Sequence, residues 1–444
     1  MNLYYQELTI RSADKTDAKQ LCDWWNDGKI MAHAGFPNGL GETPERIRER
    51  LMSNSDDTQR LHIIESSGKP IGEMHYRNNG GGVARIGIKI CDFSEQDKGT
   101  GTVLLTMFID ALFRYYSYEK VILDTNVRNR RAQHVYENKL GFKRKGVTEN
   151  AWRDQLGEWQ SSINYELEKE NWLSAHDRPL NYIHLRKESP SDFHAVESLT
   201  REAFWVNSRR ACEECLLVHR LRKSQAFVPG LDFVAEISGA LVGHIIYTES
   251  RIADSSGNSQ KTLTFGPLSV LPEYQYKGVG TALLTHSIRE ARRLGYRAIL
   301  IFGHPDYYPR FGFKRAAQFS ITTPDGKTFD PFMALPLYKG ALDEIQGRYY
   351  YDPVYDSLDE KDVLEFDKRF PEKEKHIPVP ISALLDRLRP AARYAVQSLE
   401  QPYLENLRSK SESEISALNG IDEDAINTIK AVMMEHGYRW GKAK

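Results

Sequence analysis

The chain has 444 residues, 60 Lys and Arg against 61 Asp and Glu, and a formal net charge of −1, a balance that excludes the strongly basic surface of a nucleic-acid or membrane-surface binder. Hydrophobic residues make up 40% and charged residues 27%, which is globular, and the length exceeds what one core organises, so two or three domains are expected. No apolar run approaches a membrane span, and the start Met1-Asn-Leu-Tyr-Tyr-Gln6 lacks a signal peptide's basic and apolar regions; a cytoplasmic location is the expectation.

In chain order, Leu8 to Arg11 reads as a strand, followed by a helix capped by Asp14 or Thr16 that carries Leu21, Trp24 and Trp25, and a second helix from Thr43-Pro44. Residues 60–66 and 71–76 alternate around the turn Ser67-Gly68-Lys69 as a hairpin. After Gly80-Gly-Gly82 a strand ends at Ile86-Gly-Ile-Lys-Ile-Cys-Asp92, and a glycine-bearing turn opens a helix over 103–116. A strand over 121–125, a helix over 130–139 and a turn at Gly141 follow.

A polar linker, 174–180, separates this block from a restart: a strand over 182–186, a helix over 191–204, a hairpin of 233–237 and 241–247, an apolar strand into a second glycine-bearing turn, a helix over 282–294 and a strand over 298–302. The four cysteines are too few for a disulfide framework; Cys212-Glu-Glu-Cys215 falls in a helical pattern over 208–223 without a second metal-spaced pair, so no metal is expected. The tail is helical from Ile381. Domains are therefore expected over 1–173, 181–376 and 377–444.

The two turns share one spacing, Gln96-x-x-Gly99-x-Gly101 and Gln275-x-x-Gly278-x-Gly280, each after a strand and before a helix. Bare backbone followed by a helix N-terminus offers unpaired N–H donors and the positive end of the macrodipole to a phosphate. The repeat reads as a tandem duplication.

This spacing resembles the acyl-CoA pyrophosphate loop of the GNAT N-acetyltransferase superfamily. Asn126-Val-Arg-Asn129-Arg-Arg-Ala132-Gln-His-Val-Tyr136-Glu-Asn-Lys-Leu-Gly141-Phe142 resembles that family's second motif, and the first block is most similar to ribosomal-protein-alanine and aminoglycoside acetyltransferases. Residues 181–375, with Gly303-His-Pro305, Tyr307-Tyr-Pro-Arg-Phe-Gly-Phe313 and 366–375, resemble YhbS-like N-acetyltransferases. The tail, through 418–432, resembles the helix-hairpin-helix end of the RNA polymerase alpha C-terminal domain, but Asp422, Glu423 and Asp424 stand where that family meets a DNA phosphate, so a packing or protein-contact module is expected instead of nucleic-acid binding.

The resemblance implies two mixed α/β (α+β type) GNAT folds with a small all-α module, acetyl-CoA as co-substrate, and direct transfer to a primary amine of a small molecule or protein in a ternary complex. It places the pyrophosphate on Gln96, Asp97, Lys98, Gly99, Thr100, Gly101 and Thr102, and on Gln275, Tyr276, Lys277, Gly278, Val279, Gly280 and Thr281. Backbone at Ile90–Cys91 and Ser269–Val270 would hold the thioester carbonyl, and Asn129 the coenzyme arm or a water. Tyr136 and Tyr307 would protonate the leaving sulfur, with Tyr308 competing with Tyr307. Glu73, His75, His244 and Glu249 are base candidates from their strands, with Asp92 and Asp124 behind them. The first block, having both Asn129 and Tyr136, is the favoured catalyst; the alternative is a sensor that binds acyl-CoA without turnover. Acceptor and oligomeric state stay open.

Overall fold

The computed structural model describes residues 1–177, 180–205, 212–373, 379–399, 401, 403–410, 412–436 and 438. Its first half holds β1 (Asn2–Tyr5), β2 (Leu8–Ser12), α1 (Ala18–Asn26), α2 (Gly28–Met31), α3 (Pro44–Met52), β3 (Gln59–Ser66), β4 (Lys69–Asn78), β5 (Val83–Ile90), α4 (Thr100–Arg114), β6 (Lys120–Asn126), α5 (Arg130–His134), β7 (Lys143–Arg153), β8 (Trp159–Glu168) and α6 (Lys169–Ala175). The order restarts with β9 (Ile183–Lys187), α7 (Phe193–Phe204), α8 (Glu213–Leu221), β10 (Phe233–Ile237), β11 (Ala240–Ala253), β12 (Ser259–Val270), α9 (Val279–Arg293), β13 (Ala298–Phe302), β14 (Lys314–Arg315), β15 (Ile321–Thr322), β16 (Phe332–Pro336) and β17 (Gly347–Tyr350). The tail carries α10 (Glu360–Asp367), α11 (Ser382–Leu385), α12 (Pro390–Gln397), α13 (Glu412–Ser416) and α14 (Glu423–Glu435). Among the described residues no helix is long and apolar enough to cross a membrane.

Two compact units emerge. The first is Met1–Thr200 with Leu217–Tyr355; the second is Arg201–Leu216 with Asp356–Lys444. Within the first, the two halves share one sheet. Ladders run β8–β6–β5–β4–β3–β2–β1 on one side and β9–β10–β11–β12–β13–β16 on the other, and β1 pairs antiparallel with both β2 and β9. Leu3, fully buried on β1, sits opposite Ile10 on β2 and His184 on β9.

The duplication is legible in the buried ions. Arg11 meets Asp17 through both terminal nitrogens at 2.7 Å and Glu65 through Nε at 2.7 Å. Arg186 repeats this with Asp192 at 2.6 and 3.0 Å and Glu236 at 3.0 Å. A bidentate guanidinium with a second carboxylate leaves little unsatisfied charge, which is why the triad is tolerated inside the first half, where Arg11 is buried; Arg186 in the second is half-buried. Each half has its own core: α4 packs Leu104, Phe108 and Leu112 on Met74, Tyr76, Val121 and Leu123, and α9 packs Leu283, Leu284 and Ile288 on Ile245, Leu263, Ile299 and Ile301.

In the second unit, Cys212, Cys215 and Leu216 pack on Val363, Phe366 and Phe370, and Arg201 binds Asp367 at 2.6 and 2.7 Å. Of the expected 208–223 helix, Glu213–Leu221 is helical, Cys212 is coil, Arg222 and Lys223 form a turn, and residues 206–211 lie outside the described residues. A separate cluster of Leu384, Ala392, Val396, Ile415, Ile426, Ile429 and Met433 builds the tail's helices.

Candidate active site

Strands β5 and β6 run parallel but pair only at Val83–Arg85 with Lys120–Ile122, although β5 continues to Ile90 and β6 to Asn126. Beyond Arg85 they diverge, and a cavity of about 1340 Å³ opens between them, lined by Ile86, Ile88 and Ile90 and by Asp124, Thr125 and Asn126. It exceeds the roughly 300–1,000 Å³ of a drug-sized ligand and suits an extended one. Among the described residues, the splay leaves one edge of β5 without a ladder partner. Cys91 N–H turns the other way and donates to Ile71 O at 2.8 Å, so by strand alternation the N–H and C=O of Ile90 face the cleft. The carbonyl-holding role expected of Ile90–Cys91 is thus open to Ile90, whereas the Cys91 N–H is already paired. In the second half Leu271 N–H donates to Val242 O, which leaves Val270 facing the gap between β12 and β13, paired only at Leu263–Ile299. Ser269, wholly buried, pairs with His244 and meets Thr200 Oγ1 at 3.0 Å.

The two turns match residue by residue. Gln96 Nε2 donates to Ile90 O at 3.0 Å and Gln275 Nε2 to Val270 O at 3.2 Å, so the glutamine of the motif satisfies the strand-end carbonyl that no described strand reaches. Asp97 and Tyr276 have φ of 62° and 61°, Gly99 and Gly278 of 82° and 86°. The two left-handed glycines cap α4 and α9 with no side-chain hydrogen bond, whereas Thr43 caps α3 and Asp422 caps α14 through their side chains. Uncapped first-turn donors are what an anion needs. Both helices begin three residues earlier than the sequence pattern implies, at Thr100 and Val279, because the glycine at the cap admits the helix directly after it. Gly101 and Gly280 therefore lie in the first helical turn; a methyl at Gly101 would meet nothing within 4 Å, whereas one at Gly280 would stand 3.0 Å from Tyr307 Oη.

Tyr136 lines the first cavity from a π-turn, Val135–Lys139, that continues α5. Its ring packs edge-on against Phe142 and Tyr165, and burial, with Asp124 nearby, pushes its phenol up to about 12. Asn129 caps α5 by accepting from Ala132 N–H at 3.1 Å and also lines the cavity. In the second half Tyr307 has its hydroxyl beside the first turn of α9. Tyr308 turns into the core against Phe265 and Phe313, where burial pushes it up to about 12.

The base candidates are mostly committed. Glu73 is buried and accepts from Trp25 Nε1 at 2.8 Å and Lys89 Nζ at 2.9 Å, off the cavity wall; both oxygens are used, so it holds Lys89 in place and is not a free base. His75 is exposed on β4 with its ring against Gly87. His244 is wholly buried with Nε2 2.8 Å from Asp232, and burial brings it down to about 4. Glu249 is held by Lys261 and Tyr296. Asp92 caps the short turn after β5 and binds Lys69, which hold it down at about 2. Asp124 lines the cavity but is ion-paired with Arg85.

Several lining residues carry no motif. Lys29 and His33 reach the cavity from α2 and the turn after it, Trp152 and Arg153 from β7, elements whose register no spacing marks. Arg131 joins α5 to the loop through Gln96 Oε1 at 3.0 Å and Asp97 at 3.3 Å; the run Arg128-Asn-Arg-Arg131 was the available signal. With Lys29, Lys89, Arg128, Arg130, Arg131 and Arg153 on the wall against Glu95, Asp97 and Asp124, the cavity favours an anionic ligand.

Residues 7–143 match the family described as acetyltransferase (GNAT) domain, and residues 194–313 the acetyltransferase (GNAT) family. The chain is similar to the uncharacterized N-acetyltransferase YjhQ of Escherichia coli (strain K12), 34% identical over 131 residues that span 30% of this chain and 67% of that one. It is also similar to the uncharacterized N-acetyltransferase YhbS of the same strain, 26% identical over 167 residues, 38% of this chain and 95% of that one. A crystal structure of the GNAT family N-acetyltransferase YhbS from Escherichia coli in complex with CoA aligns at a TM-score of 0.36 and 25% identity, covering 40% of this chain and 93% of that one.

Proposed function

The chain belongs to the GNAT N-acetyltransferase family, and on that premise we propose that its first half transfers the acetyl group of acetyl-CoA directly to a primary amine within a ternary complex. The observation that carries this reading is the meeting, in one cavity, of the unpaired edge of β5, the uncapped N-terminus of α4 and the phenol of Tyr136.

Acetyl-CoA supplies an activated thioester. Asp97 to Gly101 offer backbone N–H groups and the α4 dipole to its pyrophosphate, while the N–H groups of Gln96 and Thr102 are spent on Phe93 O and Gly99 O; Arg131 braces that loop, and the edge Ile86–Ile90 offers peptide groups to its amide-bearing arm. The Ile90 N–H polarises the carbonyl. As the amine nitrogen bonds to the carbonyl carbon and the C–S bond breaks, Tyr136 gives its phenolic proton to the sulfur; a phenol held near 12 is fully protonated at neutral pH and available for that step. The nitrogen's surplus proton leaves to water, and water returns a proton to the Tyr136 phenolate, so the protein ends as it began. Asn129 steadies the coenzyme arm from the mouth of α5.

The second half keeps the same loop, Gln275 to Thr281, with Val270 in the place of Ile90 and Tyr307 beside the helix start, and is read as a second acetyl-CoA site. The tail is read as a packing or protein-contact module, since the carboxylates of Asp422, Glu423 and Asp424 would repel a phosphate; Arg389, 3.1 Å from Asp424, is exposed and pairs with them only at the surface. The test is steady-state thiol release with an amine panel in the full chain carrying Gly280→Trp, which blocks the second loop and leaves the first half to be read alone. Tyr136→Phe is expected to lower kcat by about 10²-fold or more with the KM for acetyl-CoA unchanged; an unaltered kcat removes Tyr136 from the chemistry.

A further inference from the structure

Because the halves correspond strand for strand, the wall of the first cleft can be compared position by position with the matching gap between β12 and β13, which is read as the second cleft. Ala84 and Leu263 stand equally far ahead of Gly99 and Gly278, and each pairs with the next parallel strand, at Val121 and at Ile299. The core faces agree: Val121 and Leu123 pack under α4, Ile299 and Ile301 under α9. Arg85 therefore corresponds to Thr264, and Asp124 to Phe302.

In the first half Arg85 and Asp124 form an ion pair, and Asp124 lines the cleft; four residues further along β5, Lys89, also on the wall, pairs with Glu73 behind it. The second half has none of these charges at the matching positions. Thr264 is buried, Ser269 replaces Lys89 and His244 replaces Glu73, both wholly buried, and Phe302 stands 45% exposed where Asp124 would be. Phe302 is stacked on Phe329, itself 45% exposed, with centroids 5.6 Å apart. Its ring also meets Phe332 at 5.0 Å and Tyr351 at 5.6 Å. Tyr355 extends the aromatic wall from Tyr351 toward β12, where its ring is 3.9 Å from the position of a side chain at Gly266, and its hydroxyl meets Thr248 Oγ1 at 3.3 Å.

We propose that the second cleft accepts a primary amine carried on an aromatic or similarly apolar skeleton, with Phe302 as the residue that sets this preference and so separates the acceptor of the second half from that of the first. The proposal rests on the reading that the second loop holds acetyl-CoA. Aromatic rings in offset or edge-on contact reward an apolar skeleton, and a charged one loses its water there without the counter-ion that Arg85 or Asp124 supplies in the first half.

The test uses the full chain carrying Gly101→Trp, which blocks the first loop. Calorimetric titration with acetyl-CoA counts the remaining site, and thiol release gives kcat/KM for phenethylamine and for spermidine. Phenethylamine is expected to be preferred by about tenfold or more. Phe302→Asp, with the coenzyme site intact, should erase that preference, and Phe302→Leu should keep most of it. Equal or reversed preference, indifference to Phe302→Asp, or no turnover of phenethylamine with the coenzyme site filled overturns the proposal. Loss of every coenzyme site in Gly101→Trp is a different failure: it overturns the reading of the second loop, and the proposal with it.

Discussion

Tyr136 illustrates how one side chain's surroundings set its chemistry. Buried among Phe142 and Tyr165, its phenol is held near 12, above the ordinary value of about 10. Its proton is therefore kept across the working range, and the neutral form stabilises the fold below pH 10, a contribution lost as pH rises from 10 through 12. Ultraviolet titration of tyrosinate should show one fewer late-titrating phenol in Tyr136→Phe, with no difference between the two proteins below about pH 11. A difference near pH 10 would mean that Tyr136 is open to solvent. His286 shows the converse. Buried against Phe233, with Nδ1 unpaired among the described residues, it is brought down to about 3 by burial and by the nearby charge of Arg289 and Lys187. The unfolded chain binds a proton at this site below about pH 6.5 while the native chain does not, so stability falls as pH drops from 6.5 toward 3. The thermal midpoint of His286→Leu is expected to fall less between pH 7 and pH 5 than that of the parent; an equal fall would contradict the assignment.

At the scale of the element, the two loop–helix junctions are near copies with one asymmetry. Alanine removes backbone freedom from the unfolded chain that glycine retains, worth about 0.5–1 kcal/mol where the site is open. At Gly101 it is open, but at Gly280 a methyl would press on Tyr307 Oη at 3.0 Å. Gly101→Ala should raise the melting temperature of the ligand-free protein, and Gly280→Ala should give no gain; matched gains would show that Tyr307 does not rest over α9. These junctions are the part of the site most legible in the sequence, since the Gln-x-x-Gly-x-Gly spacing states both the turn and the helix after it. The helix starts are less legible, because the pattern does not say that Gly99 and Gly278 serve as the caps. Glu73 misleads for a related reason. Strand alternation puts its carboxylate on the acceptor face, but Trp25 and Lys89, which take up both oxygens, come from another element and from the neighbouring strand. The part of the cavity wall built by Lys29, His33 and Trp152 carries no local signal at all, as it is assembled from segments far apart in the chain.

At the scale of the molecule, the duplication is readable in the sequence but its geometry is not. Nothing in Asn2–Tyr5 announces a strand shared by two folds, and Arg11-x5-Asp17 and Arg186-x5-Asp192 gain meaning only when Glu65 and Glu236 are found beside them. Arg289, on the helix after the second loop, also reaches Glu65 at 3.3 Å, so the two halves are joined by charge as well as by β1. Tyr4 lies opposite Thr9 and Ile183, and Tyr4→Pro removes a ladder donor from this seam. The parent is expected to melt the two halves together and Tyr4→Pro to separate them into two calorimetric transitions; a single unshifted transition would show that β1 does not couple them. The central claim, one chain with two acetyl-CoA sites of which the first performs the chemistry proposed for Tyr136, is tested most directly by calorimetric titration of acetyl-CoA into the parent, Gly101→Trp and Gly280→Trp, with thiol release followed on an amine panel. Two sites in the parent and one in each variant, with release from the amines of the first cleft lost in Gly101→Trp and kept in Gly280→Trp, is the predicted result. Two sites surviving in Gly101→Trp, or undiminished release by that variant from the amines of the first cleft, would contradict it.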